Sequence, residues 1–418
     1  MAQVLITGMG AISPLGADLP TSFARALEGH CAIGSAPASI AKWLPDILLA
    51  PAASEPLPLL DSKHAGLDRA SQFALVAAGE ALQQASFPAQ PENSRRVGVF
   101  VGIGFGGAHT LDGLYDRFQA AVNSNGKRNP AMVHPLSVPR MMANAAAAAI
   151  SMSHGFKGPS NTYSIACASS AAAIGEAFRA IRDGYLDAAV VVGCEAMLTP
   201  GSILAWNALR VMAKPHAADP ARSCRPFSLD RSGFVLGEGA AAMVLESAAH
   251  ASTRQQAGLG EVCGYGCSSD AAHLTAPSSD EQVYAMQQAL ADAGLQASDI
   301  QYLNAHGTAT QTGDVVETES IRTVFGGRED SALAISSTKS MHGHLIGASG
   351  ILEFALAVMA MNSGSLPPTA TLETPDPQCD LDFIPLHARH GCTVNAIMSN
   401  SFAFGGSNVS LVARRYAA

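Results

Sequence analysis

The segment "YSIACASSAAAIGEA", residues 163–177, places one cysteine between a strand-like run and a run of small residues. Apolar residues recur at helical spacing from Ile174 to Ile181, and Gly184 follows where such a helix would end. Cys167 therefore falls at or just before the first helical turn, where free backbone N–H groups and the helix dipole favour a thiolate. The segment predicts either a nucleophile or, as for most lone cysteines, a small buried side chain packed among alanines.

Short β-rich runs alternate with helical patterns on both sides of this segment. The predicted strands are 4–8, 97–102, 188–193, 241–246, 300–305, 332–336, 396–401 and 409–413, and the predicted helices are 68–86, 169–183, 280–294, 314–325 and 348–362. Such alternation predicts a layered α/β architecture. Each half of the chain offers a strand, a glycine-bearing turn, a small-residue helix and a closing pair of strands. We therefore expect a duplicated fold that joins near residues 250–260 within one body.

Composition narrows the class of protein. Hydrophobic residues make up 48% of the 418 residues and charged residues only 14%, which suits a large buried core. The net charge of −9 argues against nonspecific nucleic-acid binding. We find no apolar run that approaches about 18 residues, so no membrane span is expected. The eight cysteines are dispersed without a C-x-x-C motif, and the N-terminal residues look like a first strand rather than a signal peptide. We therefore expect a cytoplasmic protein with reduced thiols.

Three further segments carry polar groups beside glycines. "NAHGTAT" (304–310) puts His306 in a turn directly after a strand, and "SSTKSMHGHLIGASG" (336–350) combines Lys339, His342 and His344 with the start of a helix. "SNSFAFGGSN" (399–408) has two adjacent glycines, which permit close approach of the backbone to a ligand. Each segment taken alone also fits a structural histidine or an ordinary tight turn. We expect no metal site, because the cysteine and histidines lack a fixed zinc spacing and no carboxylate belongs to the group.

Together the segments resemble the β-ketoacyl-[acyl carrier protein] synthases of the thiolase superfamily, nearly from end to end. The matching motifs are "VLITGMGAISPLG", "GPSNTYSIACASS", "SCRPFSLDRSGFVLGEGA", "NAHGTATQTGD", "STKSMHGHLIGASG", "CDLDFIP" and "NSFAFGGSN", of which "CDLDFIP" favours the synthase II branch. The resemblance implies a thiolase-like duplicated α/β fold, layered α-β-α-β-α with two mixed five-stranded sheets. Residues 1–255 would form the half with the nucleophilic cysteine, and residues 256–418 the half with two catalytic histidines.

The resemblance also implies a reaction, the decarboxylative Claisen condensation of an acyl group with malonyl-[acyl carrier protein] to give 3-oxoacyl-[acyl carrier protein] in fatty-acid synthesis. Cys167 would hold the acyl group as a thioester. His306 and His344 would donate hydrogen bonds to the enolate that forms as CO2 leaves. The backbone N–H groups of Cys167 and Phe404 would bind the later oxyanion, and Lys339 would position the histidines. No metal or organic cofactor is implied.

Supporting and substrate-binding residues follow from the same resemblance. Glu353 would pair with Lys339, and Asp314 would have a structural role. The predicted substrate-binding residues are Phe105, Trp206, Thr308, Thr310 and Phe402.

Three positions depart from the family pattern. Phe105 stands where synthase II members usually carry a smaller aliphatic residue, so we expect a shortened acyl tunnel. Ala403 replaces the glycine expected before Phe404, and alanine disfavours positive φ. His342 replaces a common threonine.

The expected partner is acyl carrier protein, whose acidity would be met by Arg210, Lys214 and Lys63. A homodimer is expected from the resemblance and from the apolar segment 108–160, which is alanine-rich around 141–152. A heterodimer with a paralogue stays open. Two alternative functions also stay open: a ketosynthase of a secondary polyketide or polyene pathway, and a non-catalytic chain-length-factor subunit, a type that usually lacks the nucleophilic cysteine.

Overall fold

Strands and helices alternate along the chain in the computed structural model, which describes residues 2–53, 57, 61–123, 133–329 and 331–416. The strands are β1 (Val4–Ile12), β2 (Gly34–Ser35), β3 (Leu48–Ala50), β4 (Val97–Gly102), β5 (Ser160–Tyr163), β6 (Ala188–Glu195), β7 (Leu236–Gly237), β8 (Gly239–Ser247), β9 (Gly260–Ser269), β10 (Tyr302–Asn304), β11 (Ala334–Ser336), β12 (Ala396–Phe402) and β13 (Ser407–Arg414). The helices are α1 (Leu19–Leu27), α2 (Ala38–Ala41), α3 (Arg69–Gln84), α4 (Ala108–Asn123), α5 (Ser137–Met141), α6 (Ala145–His154), α7 (Ser169–Arg182), α8 (Pro200–Ala208), α9 (Ala248–Thr253), α10 (Ser279–Ala293), α11 (Gln311–Phe325), α12 (Lys339–His342) and α13 (Ser349–Ser363).

The main sheet repeats one five-strand pattern twice. The strand order is β5-β4-β6-β8-β1 in the first half and β11-β10-β12-β13-β9 in the second, counted from each outer edge. In both halves the successive pairings are parallel, parallel, antiparallel and antiparallel. The two mixed five-stranded sheets are therefore confirmed, and a short ladder of Val4–Ile6 against Gly260–Val262 joins them into one hydrogen-bonded sheet. Strands β2, β3 and β7 form a small additional sheet that the sequence did not predict.

Two helices rich in small residues lie between the halves of the main sheet. Helix α7 packs on β4 and β6, and α13 packs on β12, β10 and α7. Outside this central pair, α3 covers β1 and β8, while α10 covers β9 and β13. The contacts are close: a Cβ added to Gly350 of α13 would lie 3.0 Å from the backbone nitrogen of Ala171 in α7. This is the expected α-β-α-β-α layering, and the small residues make it possible.

The two central helices begin differently from α1 and α3. The carboxylates of Asp18 and Asp68 accept backbone hydrogen bonds at the starts of α1 and α3. In contrast, α7 and α13 have no side-chain cap and follow 3-10 turns at Ala166–Ala168 and Ile346–Ala348. Backbone N–H groups at these two starts are therefore available to neighbouring groups.

One segment is a longer apolar run than the sequence analysis recognised. The stretch Ile346–Ser363 is long and apolar enough to cross a membrane by length and composition, with a mean hydropathy of 1.4. It contains α13, and 83% of it is buried inside the protein. Its apolarity is explained by its place between the halves of the sheet.

The alanine-rich stretch that suggested a dimer surface lies elsewhere. Ala146, Ala147, Ala149 and Ile150 of α6 are buried and pack in the same core cluster as α3 and β4. This part of the dimer argument is therefore wrong, because these side chains already have partners within the chain. Among the described residues of the region 108–160, the exposed large apolar side chains are Tyr115, Phe118, Val122, Val133, Leu136, Val138, Met142 and Met152.

The glycines of β9 offer a test of the close helix–sheet packing. A Cβ on Gly266 would lie 2.0 Å from the carbonyl oxygen of Ala285 in α10, whereas a Cβ on Gly34 would meet no atom within 4 Å. We predict that Gly266→Ala lowers the free energy of unfolding by about 1–3 kcal/mol or more. Urea unfolding measures this, with Gly34→Ala as the matched control. Equal stability of the two variants would contradict the packing described.

Candidate active site

Cys167, His306 and His344 come together from three separate parts of the chain. Cys167 lies in the 3-10 turn before α7, His306 follows β10, and His344 precedes the 3-10 turn before α13. Their ligand atoms all lie within 4.8 Å of one another, and His344 Nε2 lies 3.0 Å from Cys167 Sγ. All three side chains are buried and line one cavity of about 300 Å³. The sequence-predicted trio is thus brought into one site.

The hydrogen bonds of His344 define which ring nitrogen carries its proton. The backbone N–H of Ile346 donates to His344 Nδ1 at 3.1 Å, and Ser349 Oγ lies 2.8 Å from the same atom. A backbone N–H can only donate, so Nδ1 is an acceptor and the neutral ring carries its hydrogen on Nε2. His344 therefore presents a hydrogen-bond donor to the cavity.

A buried cation orients His306 in the same way. Lys339 Nζ lies 3.5 Å from His306 Nδ1, and an ammonium group has only donors, so Nε2 carries the ring hydrogen. Glu353 Oε1 lies 2.6 Å from Lys339 Nζ, and both side chains are fully buried. The carboxylate of Glu317 accepts the backbone N–H groups of His306 and Gly307, each at 2.7 Å, and fixes the turn. Glu317 carries no motif signal, and sequence reasoning missed it.

The electrostatics keep both rings neutral. Burial, followed by the positive charge of Lys339, holds the pKa of His306 and of His344 well below the usual histidine range. Burial raises the pKa of Glu353 to about 7, against the opposing effect of Lys339. Two neutral Nε2–H donors therefore converge on one small volume next to Cys167.

The environment of the Cys167 thiol differs from the expectation. The position before a helix predicts a stabilised thiolate, yet burial raises the pKa of Cys167 to about 12. Lys339 and the backbone N–H groups of Phe404 and Cys167 act in the opposite direction but are outweighed. The resting thiol is protonated because it is buried, and the helix start alone does not ionise it.

The predicted oxyanion donors are in place around the sulfur. Phe404 follows β12, and its backbone N–H and that of Cys167 both face the thiol. Positive φ occurs at Gly405 and Gly406, at 89° and 80°, whereas Ala403 has none. The alanine is therefore not strained in this conformation of the loop.

Four of the five predicted substrate-binding residues line the cavity, namely Trp206, Thr308, Thr310 and Phe402. The ring of Trp206 stacks on that of Phe404 with centroids 6.5 Å apart. Phe105 does not line this cavity and is 54% exposed. Its role at the end of an acyl tunnel stays a prediction that requires another surface to cover it.

The three predicted carrier-binding residues are spread over the surface. Arg210 is exposed and lines the mouth of the catalytic cavity, and Lys214 is exposed four positions later. Lys63 pairs with Asp61 at 2.8 Å and lines a different cavity, beside Asp18. Only Arg210 is brought to the site itself.

Two further predicted residues are fully buried, Asp314 in the wall of the cavity and His342 outside its lining. Asp314 is fully buried, accepts the backbone N–H of Phe227 at 2.7 Å, and lies 3.8 Å from Arg231, which fits a structural role. His342 is also buried, with Nε2 3.0 Å from Thr338 Oγ1, and burial lowers the pKa of its ring to about 3. Neither contacts the sulfur of the site.

The geometry of the same three side chains also bears on metal binding. Cys167, His306 and His344 are close enough by distance alone to share an ion. However, both histidines carry a hydrogen on the nitrogen that faces the cavity, since Ile346 and Lys339 occupy the other nitrogen. A metal would need lone pairs at those Nε2 atoms. The arrangement suits an oxyanion better than a cation.

Comparison with known proteins decides the family. The family model described as beta-ketoacyl synthase, N-terminal domain, matches residues 1–251, and the model of the C-terminal domain matches residues 259–373. The chain belongs to the β-ketoacyl synthase family.

Relatives of this synthase are similar over their full length. It is 41% identical to nodulation protein E of Rhizobium sp. (strain N33), covering 99% of each chain. It is 38% identical to 3-oxoacyl-[acyl-carrier-protein] synthase 2 of Staphylococcus aureus (strain COL), covering 100% of this chain and 99% of the other. A solved β-ketoacyl synthase from Burkholderia phymatum STM815 superposes with a TM-score of 0.89 at 34% identity, covering all of both chains. The thiolase-like fold and the family predicted from the sequence are confirmed.

The protonated state of Cys167 gives a pH prediction. With a thiol pKa of about 12, the thiolate fraction grows across the whole accessible pH range. We predict that alkylation of Cys167 by iodoacetamide accelerates steadily from pH 6 to pH 9, roughly tenfold per pH unit, as expected well below the pKa. Mass spectrometry of the Cys167 peptide follows the rate, and exposed Cys267 provides an internal comparison. A rate that levels off near pH 7 would show that the site does ionise the thiol.

Proposed function

We propose that this synthase catalyses the decarboxylative condensation of an acyl group, held on Cys167, with malonyl-[acyl carrier protein] in fatty-acid synthesis. It is an acyltransferase, and its product is 3-oxoacyl-[acyl carrier protein]. The observation that carries the proposal is the convergence of one thiol and two Nε2–H donors within 4.8 Å in a buried cavity. A cytoplasmic location is part of the same proposal.

The first half-reaction is acyl transfer. The sulfur of Cys167 attacks the carbonyl carbon of the acyl thioester, a new C–S bond forms, and the C–S bond to the carrier breaks. The proton of the Cys167 thiol leaves with the carrier thiolate. The backbone N–H groups of Cys167 and Phe404 stabilise the transient oxyanion. Because the C–S bond forms as the thiol loses its proton, the step does not require a free thiolate at Cys167, whose pKa is high.

The second half-reaction is decarboxylation. The C–C bond to the malonyl carboxylate breaks, CO2 leaves, and the electron pair becomes the enolate of the carrier thioester. The Nε2–H groups of His306 and His344 donate to the enolate oxygen, and each such donor contributes roughly 3 kcal/mol to barrier lowering. The rings stay neutral, so no proton transfer competes with the reaction. The enolate carbon then attacks the acyl carbonyl, a C–C bond forms, the C–S bond to Cys167 breaks, and the departing thiolate takes up one proton from solvent.

The alternatives fit the chain less well. A non-catalytic chain-length-factor subunit is disfavoured because Cys167, His306 and His344 are all present and assembled. A secondary-pathway ketosynthase shares these motifs. The full-length similarity to proteins named 3-oxoacyl-[acyl-carrier-protein] synthase 2 supports the fatty-acid reaction instead.

The partner proposals follow from the surface. Acyl carrier protein would dock at the mouth of the cavity, where Arg210 is exposed and Lys214 lies nearby. A homodimer would cover the exposed apolar side chains of α4 and of residues 133–142, together with Phe105. Such cover would also complete the wall of an acyl pocket next to Phe105.

The division of labour between the two half-reactions is the direct test of the function. We predict that wild-type protein gains the mass of one acyl group from an acyl-carrier thioester, and that Cys167→Ala gains none because the nucleophile is absent. Cys167→Gln should also lose acylation yet still release CO2 from malonyl-carrier thioester, since the histidine donors remain. Cys267→Ala is the matched control and should react as wild type. Acylation of the Cys167→Ala variant would refute the assignment.

We propose that Phe105 limits the length of the acyl chain that Cys167 accepts. We predict a preference for short or flat unsaturated acyl groups over saturated chains beyond about eight carbons, because forcing a longer chain past the phenyl ring would overpack the tunnel. Acylation rates across a series of carrier thioesters measure this in wild type and in Phe105→Ile, which should gain most with long chains. Tyr185→Ile alters an exposed aromatic residue outside the proposed dimer surface and serves as control. Equal rates for all chain lengths in wild type would exclude the gate.

A further inference from the structure

The two starts of the central helices are built alike. The backbone N–H of Ile165 donates to Ser169 Oγ at 2.9 Å, and the backbone N–H of Leu345 donates to Ser349 Oγ at 2.9 Å. Each serine is the first residue of a central helix, α7 or α13. The two halves of the chain therefore correspond residue by residue at these helix starts, and Ile165 is equivalent to Leu345.

The turns between these residues share an unusual backbone. Ala166 and Ile346 both have positive φ, at 51° and 47°, although neither is glycine. The next residue is Cys167 in the first half and Gly347 in the second. Gly347 is therefore the counterpart of the nucleophile, and its backbone N–H is the counterpart of an oxyanion-hole donor.

A carboxylate fills this second N–H position. Glu195, at the end of β6, is 1% exposed and accepts the N–H of Gly347 at 3.1 Å through Oε2. The same oxygen accepts the N–H of Gly104 at 2.7 Å, and Oε1 accepts that of Phe105 at 3.4 Å. Burial raises the pKa of Glu195 to about 7, against the opposing effect of these backbone N–H groups. The second half of the fold thus binds, at this position, a carboxyl group that the first half supplies.

The contacts around the Glu195 carboxylate are so close that a shift of one neighbouring turn would displace the other. A Cβ on Gly347 would lie 2.2 Å from the backbone nitrogen of Gly104, and a Cβ on Gly104 would lie 2.6 Å from Glu195 Oε2. The turn 103–107, which carries Phe105, therefore touches the turn 346–348 with the carboxylate between them. The turn 346–348 also supplies the N–H of Ile346 that fixes the tautomer of His344.

We propose that Glu195 is a positioning residue, whose carboxylate occupies the pseudo-symmetric counterpart of the oxyanion hole and locks the turn that orients His344 against the turn that carries Phe105. The inference rests on the proposed function, since the roles of those two turns come from it. Loss of the carboxylate would let the imidazole and the pocket wall shift together. Both decarboxylation and chain-length preference should change in consequence.

The test is Glu195→Gln, which keeps the shape but offers one acceptor oxygen and an NH2 group to donors that need two acceptors. We expect kcat for CO2 release from malonyl-carrier thioester, per acylated site, to fall by about tenfold or more with KM little changed, as for a displaced catalytic group. The ratio of acylation rates for long and short chains should shift as well. Glu246→Gln is the matched control: Glu246 is equally buried in the neighbouring strand β8, but it binds Thr7, His250 and Arg254, away from the site. The control should lose stability without losing kcat.

The outcomes separate the two claims. A wild-type protein that is not acylated at Cys167 would overturn the proposed function itself. An acylated wild type, with Glu195→Gln within about twofold of it in kcat per site, would overturn only the positioning role. An equal loss of kcat in Glu246→Gln would do the same, since it would reveal a general effect of buried charge. If Glu195→Gln does not fold, Glu195→Asp keeps the charge but withdraws the oxygens, and an unchanged kcat and chain preference there would also overturn it.

Discussion

The imidazoles of His306 and His344 are both held by a donor on Nδ1, and the proposed chemistry of the site depends on this constraint. For His344 the donor is a backbone N–H, and for His306 it is the ammonium of Lys339. With Nδ1 occupied and the rings neutral, each Nε2–H must point into the cavity. The buried ion pair of Lys339 with Glu353 is needed to keep the cation in place at all. The two Nε2–H groups together form a site suited to an oxyanion.

Duplication explains how this constraint arises from an ordinary α/β fold. Each half supplies a parallel strand end, a 3-10 turn with positive φ, and an uncapped helix start, so each half holds backbone N–H groups in the interior. The first half places Cys167 at such a turn, and the second places Gly347 there with Glu195 against it. The two turns are not equivalent in function. The turn at Cys167 faces the cavity and carries the proposed nucleophile, while the turn at Gly347 holds the ring of His344 through the N–H of Ile346.

Much of this was predictable from the sequence, and the gaps have physical reasons. The motifs around Cys167 predict it as the nucleophile, but the high pKa of its thiol depends on burial by distant segments. Strand β9 was missed because glycine at 264 and 266 usually weakens strands, whereas here the helix α10 lies too close for any Cβ. Glu195 has no motif, since its partners are the backbone of turns far along the chain. Phe105 is exposed on the surface of the single chain. The sequence of that chain therefore does not predict what would cover its ring.

The tautomers of His306 and His344 are the most direct test of the proposed oxyanion site. Nitrogen NMR of protein labelled with 15N-histidine reports which ring nitrogen is protonated, and His306→Gln and His344→Gln variants assign the two signals. We expect neutral rings at neutral pH, both with hydrogen on Nε2 and with a hydrogen-bonded, unprotonated Nδ1. A signal from either ring with hydrogen on Nδ1, or a doubly protonated imidazolium at that pH, would contradict the claim that both histidines act as fixed neutral donors.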